Sequence, residues 1–368
     1  MLFACGGTGG HVYPAIAIAD AIRAEHPAAA IAFAGTRDRM EWTAVPKAGY
    51  PIHAVTVSGF QRGLSREALT RNLTFPFKLA KGMWESLRLV SSFDPDVVVG
   101  TGGYASGPVG MAGSVKGRGL VLQEQNAYAG ATNKMLAKRA DTIFVAFEAA
   151  KAYFPEKKCV LAGNPVRQDL AEADRAEAHA HFGVPTGASV LLVMGGSLGA
   201  GPINGALKLH IDSLLADENA FLIWQTGSRY FEALEKGIPG HPRLRLLPYL
   251  DRMDLAYAAA DLVLCRAGAI TCSELTVTGT PSVLVPSPNV TADHQTKNAR
   301  ALAEAGAAVL LLETDLDSQF EATVVELLTD ADRRAVMREA ALDIARPDAA
   351  RTIADRVVEL AETHGGTA

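Results

Sequence analysis

Five short stretches carry residue types that could do chemistry. The first is Gly195-Gly196-Ser197-Leu198-Gly199-Ala200-Gly201, between a buried apolar run and a helical pattern. Glycines there let backbone N–H groups approach an anion with no Cβ in the way. The start of the next helix adds its dipole and unpaired donors, and Ser197 adds a hydroxyl. The chemistry is phosphate binding; the competing reading is a tight structural turn. The second is Arg266-Ala267-Gly268-Ala269-Ile270-Thr271-Cys272-Ser273-Glu274. Small residues and hydroxyls again gather at a helix start, suited to a diphosphate. Glu274 lies about one turn in. A carboxylate there can accept two hydrogen bonds from the vicinal hydroxyls of a ribose, or simply cap the helix.

The third stretch is Gly6-Gly7-Thr8-Gly9-Gly10-His11. An imidazole at a helix entrance could meet a substrate hydroxyl and take its proton, or serve the fold alone. The glycines resemble a dinucleotide fingerprint, which alone is a weak signal. A dehydrogenase would also need an acid at the end of its second strand for the cofactor ribose. That strand ends Phe33-Ala34-Gly35-Thr36-Arg37, with no acid at its tip. The fourth stretch is the glycine loop Thr101-Gly102-Gly103-Tyr104-Ala105-Ser106-Gly107-Pro108, and the fifth is Glu124-Gln125-Asn126. All five fall at the carboxyl ends of predicted strands, where open α/β sheets bind ligands.

The elements that must position these groups alternate between short apolar runs and helical periods, the mark of a parallel sheet with crossover helices. In the first half the predicted strands are Leu2–Cys5, Ala30–Ala34, His53–Val57, Val97–Val99, Leu120–Gln123 and Ile143–Ala146. Helices are predicted over Pro14–Glu25, Arg66–Ser91 and Ala131–Arg139. The pattern then restarts, with strands at Val160–Ala162, Val190–Met194, Phe221–Gln225, Leu244–Leu247, Leu262–Cys265, Ser282–Val285 and Ala308–Leu312. Two strand–glycine-loop–helix units, at Gly6–Gly10 and Gly195–Gly201, form a weak internal repeat. They imply two similar domains meeting near Leu161–Pro165, where Gly163-Asn164-Pro165 makes a turn. The chain's 368 residues suit two α/β cores.

A net charge of −5 disfavours nucleic acid as the main partner. The four cysteines, Cys5, Cys159, Cys265 and Cys272, form no CxxC pair and read as reduced, buried thiols. No leader is visible, and no apolar stretch reaches the roughly 18–20 residues that span a bilayer, so any membrane contact is expected to be peripheral. Asp315-Leu316-Asp317 matches a divalent-metal DxD, but its place before a helix favours N-capping, so no essential metal is expected; no cofactor is expected either. The segment Leu64–Val90 mixes Phe75, Phe77, Leu79, Met83 and Trp84 with Arg66, Arg71, Lys78, Lys81 and Arg88. Such a surface could lie in an anionic lipid interface, or pack as an ordinary amphipathic helix. Pro76 is expected to interrupt any single helix there.

These motifs, in this order, resemble the MurG family of bacterial UDP-N-acetylglucosamine transferases, which make lipid II for peptidoglycan. The resemblance is carried by Gly6–His11, Thr101–Pro108, Glu124–Asn126, Thr132-Asn133-Lys134, Gly163-Asn164-Pro165-Val166-Arg167, Gly195–Ala200, Arg266–Glu274 and Asp293-His294-Gln295. Departures are a clipped first strand and Leu198 where Gln is common. The resemblance implies a GT-B architecture, two Rossmann-like domains with parallel sheets facing across a cleft. Residues 1–162 would form the acceptor and membrane-docking domain, and 163–345 the UDP-GlcNAc domain. A C-terminal helix at about 349–362 would return to the first domain.

The resemblance further implies that Ser197 and the Ala269–Ser273 helix start meet the diphosphate and Glu274 the ribose. Leu250 would flank the uracil through its backbone, Gln295 would bind the sugar hydroxyls, and Arg167 would approach the donor. Thr8, Gly9, Gly10 and Asn126 would close on the donor from the first domain, with Tyr104 also facing substrate. The acceptor would be lipid I, and the reaction an inverting transfer to the C4 hydroxyl of its MurNAc. His11 is the first choice of base and Glu124 the second. Phe75, Phe77, Lys78, Lys81 and Trp84 would touch an anionic membrane, placing the enzyme on the cytoplasmic face of the bacterial plasma membrane. Another lipid-directed GT-B transferase and a UDP-GlcNAc epimerase are the alternatives.

Overall fold

The structure is a computed structural model that describes residues 1–57 and 66–365; the side chains of residues 66–75, 168 and 291 lie outside that description. The chain forms two compact units. Unit 1 is Met1–Val166 together with the chain from Pro347 onward, and unit 2 is Arg167–Arg346.

Unit 1 is built on seven parallel strands: β1 (Leu2–Ala4), β2 (Ala32–Gly35), β3 (Ile52–Ala54), β4 (Val97–Gly100), β5 (Gly119–Glu124), β6 (Thr142–Val145) and β7 (Cys159–Leu161), in the order β3-β2-β1-β4-β5-β6-β7. Its helices are α1 (Gly9–Glu25), α2 (Glu41–Lys47), α3 (Arg66–Phe93), α4 (Ser106–Val115) and α5 (Ala131–Leu136). The central strands are apolar and buried along their whole length, as Val97–Gly100 shows. That is what a parallel sheet covered on both faces requires. Phe3 of β1 stacks on Phe33 of β2 at 5.1 Å.

Unit 2 has six parallel strands: β8 (Ser189–Met194), β9 (Ala220–Gln225), β10 (Leu244–Leu247), β11 (Leu262–Cys265), β12 (Ser282–Leu284) and β13 (Ala308–Leu310), in the order β10-β9-β8-β11-β12-β13. Its helices are α6 (Arg175–Phe182), α7 (Gly201–Ala216), α8 (Ser228–Gly237), α9 (Met253–Ala259), α10 (Ala269–Val277), α11 (His294–Glu304), α12 (Leu316–Phe320), α13 (Glu326–Thr329) and α14 (Ala331–Ile344). The last helix, α15 (Ala349–Gly365), belongs to unit 1. It packs on α1 and β4, and its Ile353, Val357 and Leu360 share one core with Phe3, Val97 and Val99.

Both sheets are Rossmann-like and reverse their winding once, between β1 and β4 in unit 1 and between β8 and β11 in unit 2. The crevice at such a reversal is where open α/β sheets hold ligands. Three expectations need correction. Val160–Ala162 does not begin the second sheet; Cys159–Leu161 pairs in parallel with β6 and closes the first. Pro76 does not divide the helix: α3 runs through it. A proline removes one backbone hydrogen bond, and here Val90, in the far half of the helix, is buried in the core of unit 1. Asp315 sits at the N-cap of α12, yet its side chain makes no cap hydrogen bond. The helical periods of the second half match α7, α9, α10, α11 and α14, whereas α2, α4, α6, α8 and α13 have no predicted counterpart.

Candidate active site

In unit 1, the loop after β1 and the loop after β4 meet at the winding reversal. They touch so closely that a Cβ on Gly103 would lie 2.2 Å from the carbonyl oxygen of Gly6. Gly103 also has φ +81, so both space and backbone favour glycine there. His11 sits in the first turn of α1, half-buried. Its Nδ1 lies 3.1 Å from the Gly6 carbonyl oxygen and 3.3 Å from Thr8 Oγ1. A carbonyl can only accept, so Nδ1 carries the hydrogen and Nε2 is the basic nitrogen of the neutral ring. The Thr101 hydroxyl donates to the His11 carbonyl at 2.8 Å, fastening this helix start to the end of β4. Ser106 donates to the Ala4 and Gly102 carbonyls and accepts from Gly102 N–H, which pins the second loop.

Thr8 is exposed, Gly9 and Gly10 are half-buried, and Tyr104 is exposed on the neighbouring loop. These residues, with His11, are brought together. Glu124 is a different case. It is buried, and its carboxylate accepts from Asn126 N–H at 3.1 Å, Gly130 N–H at 2.9 Å and Asn133 Nδ2 at 2.9 Å. Such a group shapes the 125–130 loop; its lone pairs are committed to the fold. These bonds tie the end of β5 to the loop that follows it. Asn126 remains half-buried at the end of β5, tied to Glu124 through its backbone.

Unit 2 contains a cavity of about 430 Å³ at its own reversal point, lined by Gly195, Gly196 and Gly199–Gly201 of the glycine loop, though not Ser197, and by Cys265, Arg266, Gly268, Thr271, Ser287, Val290 and Gln295. Two helix starts open on it, those of α7 and α10. Neither Ala200 nor Gly268, their N-caps, supplies a side-chain cap, which suits an external anion. The first loop is drawn tight against the end of β9: Gly199 has φ +77, and a Cβ there would lie 2.0 Å from the Thr226 carbonyl oxygen. Ser197 is exposed at its tip. Gln295, at the start of α11, accepts from Ser287 N–H at 2.8 Å and so shapes the far wall.

Glu274 is half-buried on α10 and accepts from the Tyr257 hydroxyl at 2.9 Å. Burial pushes its carboxyl up to about 7, while the Tyr257 hydrogen bond and the Arg167 charge pull it down. Burial, and then the Glu274 charge, hold the Tyr257 hydroxyl well above its usual range, so it stays a donor. Arg167 is exposed and paired with Asp169 through Nε at 3.0 Å and Nη2 at 2.5 Å.

Several expected contacts need restating. Cys272 is fully buried, and desolvation pushes its thiol up to about 12, so only its backbone can serve a ligand. Ser273 turns its hydroxyl back to the Ala269 carbonyl at 3.2 Å. Ala269 is buried and Ile270 half-buried; of the five residues at this helix start, Thr271 lines the cavity. Leu250 is buried after β10 and is not among the residues lining the cavity.

Residues missed in the sequence hold the walls together. Arg266 donates to the Val285 and Pro286 carbonyls, each at 3.1 Å, and pairs with Glu313 at 2.5 Å. Gln225 joins the Gly196 and Pro248 carbonyls at 3.1 and 3.4 Å. Strand-end polar side chains were the available signal. Among the described residues, no group of three or more His, Cys, Asp or Glu is placed to hold a metal ion.

On α3, Phe77 is 79% and Trp84 59% exposed, with Lys81 exposed between them and Lys78 exposed beside Phe77. The side chain of Phe75 lies outside the described residues. Among those residues no helix is long and apolar enough to cross a membrane.

Comparison with known proteins bears on both units. The glycosyltransferase family 28 N-terminal domain matches residues 1–145, and the glycosyltransferase family 28 C-terminal domain matches residues 190–355. A protein of Salinibacter ruber is 57% identical over 99% of this chain and 97% of its own length. Its name is UDP-N-acetylglucosamine--N-acetylmuramyl-(pentapeptide) pyrophosphoryl-undecaprenol N-acetylglucosamine transferase. A protein of the same name from Flavobacterium psychrophilum is 44% identical over 97% of this chain and 96% of its own. The crystal structure of Acinetobacter baumannii MurG is similar with a TM-score of 0.77 and 28% identity, covering 97% of this chain and 99% of that one.

Proposed function

The chain belongs to the MurG family of glycosyltransferases, with its GT-B architecture, and from that premise we propose that it moves GlcNAc from UDP-GlcNAc to the C4 hydroxyl of MurNAc in lipid I, giving lipid II. The observation that carries the donor half is the cavity in unit 2. Two glycine-linked helix starts face it, and Thr271 and Gln295 line it. Backbone N–H groups and helix dipoles there stabilise the negative charge that develops on departing UDP, so the reading needs no metal and no cofactor. Glu274 accepts from the ribose hydroxyls, and Gln295 binds the sugar hydroxyls through its amide. Ser197 and Thr271 meet the diphosphate, Leu250 offers its backbone to the uracil, and Arg167 adds positive charge nearby.

Unit 1 serves the acceptor. His11 takes the proton of the C4 hydroxyl on Nε2 while that oxygen attacks the anomeric carbon, inverting it. Thr8, Gly9, Gly10, Tyr104 and Asn126 frame the group around it. Phe77, Lys78, Lys81 and Trp84 dock the enzyme on an anionic membrane, at its cytoplasmic face, where a lipid-linked acceptor is reached. Apolar side chains enter the interface while lysines stay near headgroups.

The test is transfer of labelled GlcNAc to lipid I, run beside a diacylglycerol acceptor and a sample with no acceptor. Label appearing in lipid II alone supports the proposal. Conversion of UDP-GlcNAc without acceptor would instead establish epimerase chemistry, and transfer to diacylglycerol a different lipid transferase.

A further inference from the structure

Glu41 is completely buried at the start of α2, yet no part of the reaction above uses it. It lies against the Gly6–Gly10 loop. Its Oε2 accepts from Gly7 N–H at 3.1 Å, and its Oε1 accepts from Thr36 N–H at 3.0 Å and the Thr36 hydroxyl at 2.5 Å. All three bonds run into the carboxylate, the pattern of an acceptor-only group, and all three donors are neutral. The site is made for it: a Cβ on Gly6 would sit 2.6 Å from Oε1, and one on Gly35 2.7 Å from Cγ.

The bond partners form a connected line. Gly7 N–H and the Gly6 carbonyl belong to one peptide group. Glu41 holds the N–H end of that peptide, and His11 Nδ1 holds the carbonyl end at 3.1 Å. A carboxylate on the N–H side polarises the peptide and makes its oxygen a better acceptor, because hydrogen bonds in series strengthen one another.

We propose that Glu41 is a positioning residue for the transfer reaction, acting on His11 through the Gly6–Gly7 peptide much as the acid of a catalytic triad acts on its histidine directly. This rests on the reading of His11 as the base. Glu41 fixes the hydrogen on Nδ1, aims Nε2 at the acceptor hydroxyl, and stabilises the imidazolium once formed. During transfer the hydroxyl proton passes to Nε2, the acceptor oxygen bonds the anomeric carbon, and the bond from that carbon to the UDP oxygen breaks. Glu41 takes up no proton. The neighbouring titratable groups do not compete. Cys5, just after β1, is fully buried, and desolvation, then the Glu41 charge, push its thiol up, so it stays neutral. Tyr13 of α1 packs on Gly9, and from the loop after β4 it is the uncharged Gly102 that faces the His11 ring.

The experiment compares Glu41→Gln and His11→Ala in the full chain with lipid I and UDP-GlcNAc, and adds ¹⁵N NMR of the His11 ring in the unaltered protein. Glu41→Gln keeps the shape and removes the charge. Its kcat is expected to fall roughly tenfold, with donor KM within about twofold and the acid limb of the kcat profile moved down by about one pH unit. The neutral ring of the unaltered protein should carry its hydrogen on Nδ1. If His11→Ala keeps near-normal turnover, the base reading itself is lost. If His11→Ala is inactive but Glu41→Gln leaves kcat and the acid limb unmoved, the base stands and Glu41 is only structural. Should Glu41→Gln fail to fold, the NMR decides: a neutral His11 with its hydrogen on Nε2 overturns the proposal.

Discussion

The two units put a glycine loop at the same place, the point where the sheet reverses its winding, but fill the loop differently. In unit 1 the amide of Gly7 already holds a carboxylate, Glu41, supplied from the start of α2. In unit 2 the corresponding loop borders a cavity of about 430 Å³. Both loops lead into helices without a side-chain cap. A nest of backbone donors binds whatever negative group the surrounding chain delivers or leaves room for. One loop therefore carries a carboxylate supplied by its own chain, and the other borders an open cavity. Glycine content alone does not separate the two outcomes; the residue behind the loop does.

The sharpest way to break that division is to remove one key residue from each side. His11→Ala should lower kcat by about 10²–10⁴, the usual worth of a positioned general base. Calorimetric affinity for UDP-GlcNAc should stay the same. Near-normal turnover, or lost donor binding, would dissolve the distinction between the loops. Glu274→Ala should do the reverse. Two hydrogen bonds to a charged group are together worth about 3 kcal/mol, so donor KM should rise about a hundredfold with kcat nearly kept. An unchanged KM would remove the ribose role.

A paired glycine experiment sharpens the comparison at the backbone. Gly199→Ala forces a methyl toward the Thr226 carbonyl from a left-handed backbone, and Gly6→Ala forces one toward the Glu41 carboxylate. Strain of this kind costs about 1–3 kcal/mol, enough for a change of about tenfold or more. We expect it in donor KM for Gly199→Ala and in kcat for Gly6→Ala. Steady-state kinetics on both variants checks this, and the same parameter moving in both would erase the contrast.

Much of this organisation is legible in the residues, and the reasons for the exceptions are physical. Buried parallel strands read as continuous apolar runs, so Val97–Gly100 and Leu262–Cys265 declare themselves. Glycine loops after them point to strand ends. Glu41 was invisible because α2 is seven residues long and its charge is buried by tertiary contacts, not by a local pattern. β2 has no acid at its tip, and Glu41, just beyond it, folds back onto the glycine loop. Glu124 shows the opposite case: a carboxylate at a strand end looks catalytic in the sequence, yet Asn126, Gly130 and Asn133 all donate to it. Pro76 misled because propensity is local and packing is not.

The surface of α3 tests the division at lower stakes. Phe77 and Trp84 are exposed, so replacing both with Ser should leave the fold intact. Burying each side chain in a lipid interface contributes about 1.5–3 kcal/mol at most, and partial insertion less. Sedimentation with anionic vesicles should show binding weakened about tenfold, with turnover of a short-chain, water-soluble acceptor unchanged. Full retention on vesicles would take the membrane role away from this helix.

The smallest expected effect is one of pH, and it belongs to unit 2 alone. Burial holds the Glu274 carboxyl near 7, up from its ordinary 4.5. The folded chain thus binds this proton more tightly than the unfolded chain does. The group's contribution to stability is complete in acid and is lost as the pH rises from about 4.5 through 7. On the proposed ribose role donor binding runs the other way, because an ionised carboxylate can accept from both hydroxyls and a protonated one cannot. UDP-GlcNAc has no ionisation of its own in this range. Its Kd, measured by calorimetry, should fall several-fold between pH 6 and pH 8, at most about tenfold. Glu274→Gln should flatten that slope, while His11→Ala, which alters only the other unit, should leave it in place. A slope that survives Glu274→Gln would assign the titration to another group and loosen the link between this carboxylate and the donor.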